Sequence, residues 1–300
     1  MPTINIAIVG FGNVGKCAYD AVQAAPDMSL RCVVEAPGAE PPAHLAELWL
    51  TDIKDIHAHG KVDAALLCLP SRMCPGIAET LLRMGVRTVD SYDIHGDIWE
   101  VKCRLDKAAR EGGAAGIISA GWDPGSDSII RALMEAMAPR GITHTNFGPG
   151  MSMGHSVAAK AVEGVANALS VTLPAGAGVH RRMVYVQLEP GAVFEDVSRA
   201  IQADPYFAHD ETHVGQTDDV MDLLDMGHGV HLSRKGVAGS THNQLLEYSM
   251  RINGPALTGQ VMASAARAAC RQQPGCYTLI EVPLADLLPG TREEQIRKLV

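Results

Sequence analysis

The chain has 300 residues, of which 47% are hydrophobic, and a formal net charge of −9 at pH 7. This length predicts one large or two modest domains, and the hydrophobic content is ample for a folded core, which argues against disorder. The negative charge argues against nucleic acid or an anionic membrane surface as a partner, because both bind basic faces.

Cysteine usage and hydropathy predict a cytoplasmic protein. The seven cysteines form no CxxC pair, so we expect the free thiols of an intracellular protein. No apolar run reaches the ~20 residues that span a bilayer, and the amino terminus enters a strand pattern without a basic leader, which predicts no signal peptide. The histidine pairs at 57 and 59 and at 209 and 213 match neither HExxH nor a Cys/His cluster, so no metal site is predicted.

The first predicted element is a strand at 4–9, followed at once by the glycine turn GFGNVG and a helical pattern. This order is typical of a turn that binds a dinucleotide pyrophosphate. Gly10 permits the tight turn, Gly12 lets the backbone approach the phosphates, and Gly15 lets the helix pack close to the strand. The alternative is a turn with a structural role alone. The predicted cofactor contacts here are Gly10, Phe11, Gly12, Asn13 and Val14.

The second predicted strand, at 30–34, ends directly before Glu35. An acid at this point accepts hydrogen bonds from the adenosine ribose 2′-hydroxyl of NAD, whereas an arginine would hold the 2′-phosphate of NADP. A carboxylate would repel that phosphate, so the sequence favours NAD over NADP. The alternative is a loop glutamate facing water.

Further strand patterns at 62–69, 86–89 and 115–119 alternate with helical patterns that run through Leu82 and over 97–110. This alternation predicts an α/β fold with a doubly wound parallel sheet of the Rossmann type. Ligands of such sheets bind beyond the carboxyl ends of the strands. The segments at this edge are Gly10, Glu35, 69–72, 91–93 and 121–125. The remaining predicted cofactor contacts among them are Leu69, Pro70, Ser71, Arg72, Ser91 and Tyr92.

The pattern changes after a helix predicted at 126–137. Strands are predicted at 169–173, 181–188, 228–234 and 242–252, with helices at 193–202 and 256–272. Many strands with few helices predict a mixed α+β domain for substrate binding or dimerisation. A final strand at 277–282 and a helix at 291–300 are expected to rejoin the first domain. The predicted domains are therefore 1–120, joined by about 255–300, and 121–254.

Two acids follow strands of the predicted sheet. Asp93 lies in DSYDIH and Asp123 in GWDPG. Two carboxylates at one edge suit a substrate ammonium group, and either could act as general base. Separately, Asp123 could simply begin a turn, and Asp93 could be a helix N-cap or a loop acid.

The second domain carries a candidate carboxylate receptor. The planar fork of Arg182 can pair with both oxygens of a carboxylate, and Thr172 and His228 could assist it. The alternatives are a strand-surface threonine and a loop histidine.

These motifs resemble the meso-diaminopimelate dehydrogenase family, NADP-dependent enzymes that act on the D-configured centre of meso-2,6-diaminopimelate. The resemblance covers essentially the whole chain, and its length is similar to that of the branch with broader D-amino-acid tolerance. The matching segments are GFGNVG near the start, DSYDIHGDI at 90–98, SAGWDPGSDSIIRAL at 119–133, FGPGMSMGHS at 147–156, DMGHG at 225–229 and HNQLLEYSMRI at 242–252.

The resemblance implies reversible oxidative deamination to L-2-amino-6-oxopimelate and ammonia by a homodimer. It implies that Asp93 and Asp123 hold the amino group at the D-centre. The residues implied to shape that end of the pocket are Trp122, Phe147, Met153 and Gly154. Those implied to hold the distal carboxylate are Thr172, Arg182 and His228.

The chain departs from the family pattern at two places. Glu35-Ala36 stands where the family has arginines for the 2′-phosphate, which supports NAD or dual use. Gly254 stands where the family has asparagine before the proline, so that substrate contact is expected either to be missing or to shift to Asn253.

Two alternative functions stay open from the sequence. One is another NAD(P) reductase of amino-acid biosynthesis, of the dihydrodipicolinate reductase or homoserine dehydrogenase type, which would lack the paired acidic loops. The other is a non-catalytic NAD(H)-sensing protein, which would bind the cofactor without turnover.

Overall fold

The computed structural model describes residues 3–224 and 227–300, so the first two residues of the DMGHG motif lie outside the described part. Two compact units are present, one formed by the chain up to Ala132 with Pro255–Val300 and the other by Leu133–Gly254. The sequence placed the first boundary after residue 120. It lies later because the loop after the sixth strand packs within the first unit, where a Cβ on Gly121 would lie 3.2 Å from Ser91 Cβ.

The elements alternate in the first unit and are mostly strands in the second. The strands are β1 (Ile4–Val9), β2 (Met28–Val34), β3 (Trp49–Leu50), β4 (Ala64–Leu67), β5 (Arg87–Asp90), β6 (Ala115–Ile117), β7 (Arg140–Phe147), β8 (Gly150–Met151), β9 (Val165–Gly176), β10 (Val179–Leu188), β11 (Glu211–Gln216), β12 (Gly227–Ala238), β13 (Thr241–Asn253) and β14 (Gly275–Tyr277). The helices are α1 (Asn13–Ala24), α2 (Cys74–Arg83), α3 (Ile98–Gly112), α4 (Ser126–Met137), α5 (Met153–Lys160), α6 (Phe194–Ala203), α7 (Gly254–Ala269) and α8 (Arg292–Leu299).

The first unit contains a seven-stranded sheet in the order β14-β6-β5-β4-β1-β2-β3. Every adjacent pair of strands in it is parallel. The chain extends the sheet in one direction through β3 and then continues on the other side of β1 with β4. This arrangement confirms the predicted Rossmann-type sheet and places its switch point between β1 and β4.

Both faces of this sheet are covered, which explains why its strands read as continuous apolar runs. Successive side chains of β1 point to opposite faces. Ile6 and Ile8 pack in a core with residues of α1 and α7. Ala7 and Val9 pack in a second core with residues of α2 and α3.

The carboxyl-terminal segment belongs to the first unit, in which α7 packs closely on α1. A Cβ on Gly259 would lie 2.6 Å from the main-chain nitrogen of Ala18, so the approach requires glycine. The predicted strand at 277–282 is wrong: the strand ends at Tyr277, because Thr278 turns the chain by donating its N–H to Glu281 Oε2 at 2.8 Å. The predicted final helix is present as α8, whose amino end is capped by Thr291.

The second unit has a four-stranded sheet in the order β11-β10-β9-β8 and a three-stranded sheet in the order β13-β12-β7. One side of the four-stranded sheet packs against α6 in a core that contains Val184, Val186, Ile201 and Phe207. Within this unit, strands β7, β8 and β11 and helix α5 were not predicted, and neither was the two-residue strand β3 of the first unit; β7 and β11 are largely polar, and β3 and β8 are too short to show a pattern. No helix in the described ranges is long and apolar enough to cross a membrane.

Candidate active site

The glycine turn has the geometry of a dinucleotide cradle. Gly10 has φ +90°, and a Cβ there would lie 2.5 Å from Cys68 O. A Cβ on Gly15 would lie 2.2 Å from Gly10 O, so this glycine permits α1 to pack on the turn. A Cβ on Gly12, by contrast, would meet nothing within 4 Å.

Gly12 is the N-cap residue of α1, and no side chain caps this helix end. Helices leave their first N–H groups without helical partners, and in α1 these are the N–H groups of Asn13 and Val14. Open space beside bare N–H groups at a helix amino terminus fits a pyrophosphate. The residues present therefore fit the cofactor that the motif predicts.

Glu35 follows β2, as predicted, and its carboxylate is tied to the glycine turn. Oε2 accepts a hydrogen bond from the Phe11 N–H at 2.6 Å, and Oε1 accepts one from the Ala36 N–H at 2.8 Å. Two main-chain hydrogen bonds therefore hold this carboxylate at the carboxyl end of the sheet.

The loops after β4 and β5 are joined by Asp93. Its Oδ1 accepts a hydrogen bond from Ser71 Oγ at 2.6 Å, and its N–H donates to the same hydroxyl at 3.2 Å. Asp93 is exposed and is not the N-cap of α3, which begins after Asp97. Leu69, Pro70 and Arg72 lie in the same turn as Ser71, before α2 begins.

Asp90, which sequence analysis did not select, connects the two acidic loops. Its buried Oδ1 accepts hydrogen bonds from the N–H groups of Tyr92 at 3.0 Å and Ser119 at 3.1 Å. Burial raises the pKa of this carboxyl to about 6, although both hydrogen bonds lower it. Asp90 therefore positions the loop with Ser91 and Asp93 beside the loop that leads to Asp123.

Asp123 lies in a tight loop closed by two main-chain hydrogen bonds, from Gly121 N–H to Pro124 O and from Ser126 N–H to Gly121 O, both 3.1 Å. Its Oδ1 accepts a hydrogen bond from Arg131 Nη2 at 3.2 Å. Trp122 in the same loop is half-buried. The loop is thus more than a connecting turn, since it holds a carboxylate against a guanidinium.

Arg131 contacts a second acid that sequence analysis also missed. Its Nη1 lies 2.7 Å from Oδ2 of Asp127, a side chain with 0% exposure. Burial, and then the charge of Asp123, raise the pKa of Asp127 well above its usual range. Two carboxyls and one guanidinium therefore form a compact cluster in the first unit.

In the second unit, Phe147 and His228, both predicted site residues, lie close together. Their ring centroids lie 6.4 Å apart, and the Phe147 N–H donates to His180 Nε2 at 2.9 Å. His228 is not a loop residue: it lies on β12, is buried, and its Nδ1 is 2.9 Å from Gly229 O.

Thr172 and Arg182 are paired across β9 and β10, and Arg182 Nη1 donates to Thr172 Oγ1. Thr172 is 1% exposed, so the alternative of a strand-surface threonine is wrong. Arg182 Nε donates to Asp210 Oδ2 at 2.6 Å, an interaction that spans 28 residues and was not predicted. Burial, and then the charge of Arg182, lower the pKa of nearby His155 to about 4, so this imidazole is neutral near pH 7.

Three other predicted substrate contacts occupy ends of elements in the second unit. Met153 and Gly154 begin α5, and Asn253 ends β13, opposite Gly227 in the strand register. No cluster of three or more metal-ligating side chains occurs within residues 3–224 and 227–300.

The missed acids left different signals in the sequence. Asp90 directly follows the strand predicted at 86–89, and Asp127 stands four residues before Arg131 on a helix. Asp210 left none, because its partner comes from a distant strand.

Comparisons with known proteins agree with the motifs. A family model described as the diaminopimelic acid dehydrogenase C-terminal domain matches residues 121–179. A meso-diaminopimelate D-dehydrogenase from Bacteroides fragilis is 56% identical over 301 residues, which cover 100% of both chains.

Solved structures give the same result. The C. glutamicum DAP dehydrogenase in complex with DAP is 29% identical, with a TM-score of 0.88 and 100% coverage of both chains. An engineered D-amino acid dehydrogenase bound to NADP+ is 28% identical, with a TM-score of 0.88, and covers 99% of this chain and 100% of that chain. The predicted resemblance is confirmed, and this chain belongs to the meso-diaminopimelate D-dehydrogenase family.

Proposed function

We propose that this chain catalyses the reversible, NAD(P)-dependent oxidative deamination of the D-centre of meso-2,6-diaminopimelate, giving L-2-amino-6-oxopimelate and ammonia. One observation carries the proposal: the first unit of this chain contains two acidic loops and a dinucleotide cradle at the carboxyl ends of one parallel sheet. Other D-amino acids form a second substrate class. A different reductase is disfavoured by the 56% identity to a meso-diaminopimelate D-dehydrogenase over the whole chain.

The cofactor would be held by the glycine turn, with the turn before α2 and the loop after β5 as further contacts. Gly12 leaves room for the pyrophosphate, and the first N–H groups of α1, those of Asn13 and Val14, would donate to it. When bound, the nicotinamide supplies the acceptor for a hydride.

This chain's acids handle the substrate nitrogen. An ammonium nitrogen has no lone pair, so it must lose a proton before the carbon beside it can be oxidised. Asp93 or Asp123, when ionised, binds that ammonium and accepts the proton on a carboxylate oxygen. The Ser71 hydroxyl orients Asp93, and the Arg131 guanidinium orients Asp123. Trp122 lies next to Asp123 and is suited to exclude water.

Residues of the second unit are proposed to recognise the L-centre. Arg182, with Thr172 and His228, binds its carboxylate, and Phe147, Met153 and Gly154 shape the apolar wall. Two contacts already fix the Arg182 side chain, so little rotamer freedom remains to be lost on binding. Asn253 is proposed as a further substrate contact.

NAD is the proposed preferred cofactor. The Glu35 carboxylate at the end of β2 supports this choice, because it can accept a hydrogen bond from a ribose 2′-hydroxyl and would repel a 2′-phosphate.

We also propose a homodimer formed through the second unit. β13 is an edge strand of 13 residues, and its Leu245 is 58% exposed. Long exposed edges with apolar side chains are normally covered in native proteins. A cytoplasmic location is supported by the seven cysteines, all of which are free thiols.

An absorbance assay at the reduced-nicotinamide band tests the function. The purified protein is given NAD or NADP with meso-diaminopimelate, its LL-isomer or D-alanine. We expect cofactor reduction with meso-diaminopimelate and no reduction with the LL-isomer, which lacks a D-centre. Cofactor binding without turnover of any D-amino acid would overturn the proposal and favour a sensor. Reduction of dihydrodipicolinate or of aspartate semialdehyde would favour the reductase alternatives.

A further inference from the structure

Asp127 has no role in the proposed function described above. It lies in the first turn of α4, where a negative charge would be favoured by the helix dipole. Its side chain, however, is completely buried. A buried charge is costly unless it is paired, so the groups around it decide its state.

The charged groups that face Asp127 are Asp123 and Arg131. Arg131 lies 2.7 Å from Asp127 through Nη1 and donates to Asp123 through Nη2 at 3.2 Å. The Arg131 guanidinium therefore contacts both carboxyls. Two negative charges on one guanidinium are costly where solvent is excluded, so burial favours the protonated form of the more buried carboxyl.

Burial decides which carboxyl holds the proton. The Asp127 side chain is 0% exposed, whereas that of Asp123 is 13% exposed. Loss of solvation disfavours the charged form of the more buried acid, so the proton stays on Asp127. The contacts of both carboxyls with the same guanidinium bring them close together, so a protonated Asp127 is placed to donate a hydrogen bond to the Asp123 carboxylate.

We infer that Asp127 is a positioning residue that remains protonated and donates a hydrogen bond to Asp123, which orients the Asp123 carboxylate toward the substrate nitrogen. The inference rests on the proposed function, in which Asp123 binds that nitrogen. Asp127 itself need not touch substrate. With Asp127 protonated, only the Asp123 carboxylate presents a negative charge to the substrate ammonium.

The test compares Asp127→Asn and Asp127→Ala with the wild-type enzyme. The asparagine amide still donates a hydrogen bond but cannot ionise, whereas alanine removes the donor. We expect Asp127→Asn to stay within about threefold of wild type at pH 7, and Asp127→Ala to lower kcat/KM about 10–100-fold. Glu293→Gln is the control, because Glu293 forms an exposed ion pair with Arg297 at the same helical spacing.

The pH profile separates this role from a purely structural one. As the pH rises and wild-type Asp127 ionises, it can no longer donate to Asp123, but the asparagine still does. The ratio of kcat/KM for Asp127→Asn to that for wild type should therefore rise with pH. Ionisation of the substrate amine cancels in this ratio.

Infrared spectroscopy of the folded proteins gives a readout that does not depend on turnover. At pH 7, the wild-type minus Asp127→Asn difference spectrum should show the C=O stretch of a protonated carboxyl, and the contribution of Asp90 cancels. The inference would be overturned by a kcat/KM ratio of Asp127→Asn to wild type that does not change with pH together with the absence of this band. An Asp127→Ala variant as active as wild type would also overturn it. Absence of any turnover by wild type would instead overturn the proposed function, and the infrared band would still test the state of Asp127.

Discussion

The main-chain N–H of Phe11 donates a hydrogen bond to the Glu35 carboxylate across 2.6 Å. The contact joins the glycine turn after β1 to the end of β2, at the point where nucleotide folds read the adenosine ribose. The residue that would choose between NAD and NADP therefore also holds the loop that would bind their shared pyrophosphate.

Glu35→Gln is expected to shift cofactor choice toward NADP. Removing the negative charge removes the repulsion of a 2′-phosphate, so the ratio of kcat/KM for NADP to that for NAD should rise by about tenfold or more. The ratio is measured with meso-diaminopimelate held constant. Glu40→Gln, in the exposed segment that follows, serves as the control. An unchanged ratio would show that Glu35 does not read the ribose.

Alanine at two glycines of the same turn should have opposite consequences. Gly12→Ala adds a methyl group where no protein atom lies within 4 Å, so folding should be normal. The methyl group would occupy the space proposed for the pyrophosphate, and the dinucleotide Kd should rise by about tenfold or more.

Gly15→Ala instead puts a Cβ 2.2 Å from Gly10 O. Its free energy of unfolding should fall by about 1–3 kcal/mol through overpacking. Thermal unfolding and cofactor titration of both variants check the pair of predictions. A stable Gly15→Ala, or a Gly12→Ala that binds cofactor normally, would contradict them.

Arg182 and its neighbour Arg181 form a matched pair for testing substrate recognition. Arg182 is 13% exposed and contacts Thr172, whereas Arg181 is 57% exposed and pairs with Glu211. Arg182→Met should raise KM for meso-diaminopimelate about 10–100-fold, because a charged hydrogen bond to the distal carboxylate is lost.

Activity on D-alanine, which has no distal carboxylate, should change little in Arg182→Met. Arg181→Met should leave both substrates unaffected. Steady-state kinetics of both variants with the two substrates measure these effects. If Arg182→Met lowered kcat/KM equally on both substrates, recognition of the L-centre by Arg182 would be contradicted.

A buried ion pair ties the carboxyl-terminal segment into the first unit. Arg267 on α7 donates to both oxygens of Asp27, at 2.7 and 2.8 Å for the shortest contacts. The hydrogen bond from Arg267 lowers the pKa of Asp27 despite its burial. Because the folded-state pKa lies below the unfolded value of 3.8, the pair stabilises the fold above that pH and loses its effect as the pH falls through the folded-state value.

Asp27→Asn should therefore destabilise the protein by about 3 kcal/mol at pH 7. The difference from wild type should shrink as the pH falls below 3.8, where Asp27 of the unfolded chain takes up a proton, and should be lost below the lower folded-state pKa. Urea unfolding at several pH values measures it. Asp196→Asn, which breaks an exposed pair with Arg199, should change the unfolding free energy by less than about 1 kcal/mol. A pH-independent difference for Asp27→Asn would contradict the assignment.

The parallel sheet could be predicted because its strands are buried on both faces. The runs INIAIV and AALL carry that burial in their own residues. Strand β11, with the sequence ETHVGQ, could not be predicted, since it pairs in parallel with β10 and only that pairing makes it a strand. The strand predicted at 277–282 is wrong for a different reason: the Thr278 N–H donates to Glu281 Oε2, and the strand ends at Tyr277.

The local sequence was enough to predict the dinucleotide turn, Glu35 and the two acidic loops. Parallel strands bring their carboxyl ends to one edge of the sheet, whatever the sequences of the helices between them. Ionisation states could not be read in this way. Whether Asp127 carries a proton depends on its burial and on Arg131, and whether Arg182 has a counterion depends on Asp210, 28 residues away. Burial and long-range partners exist only after the chain has folded, and they set the charges on which the chemistry of this site depends.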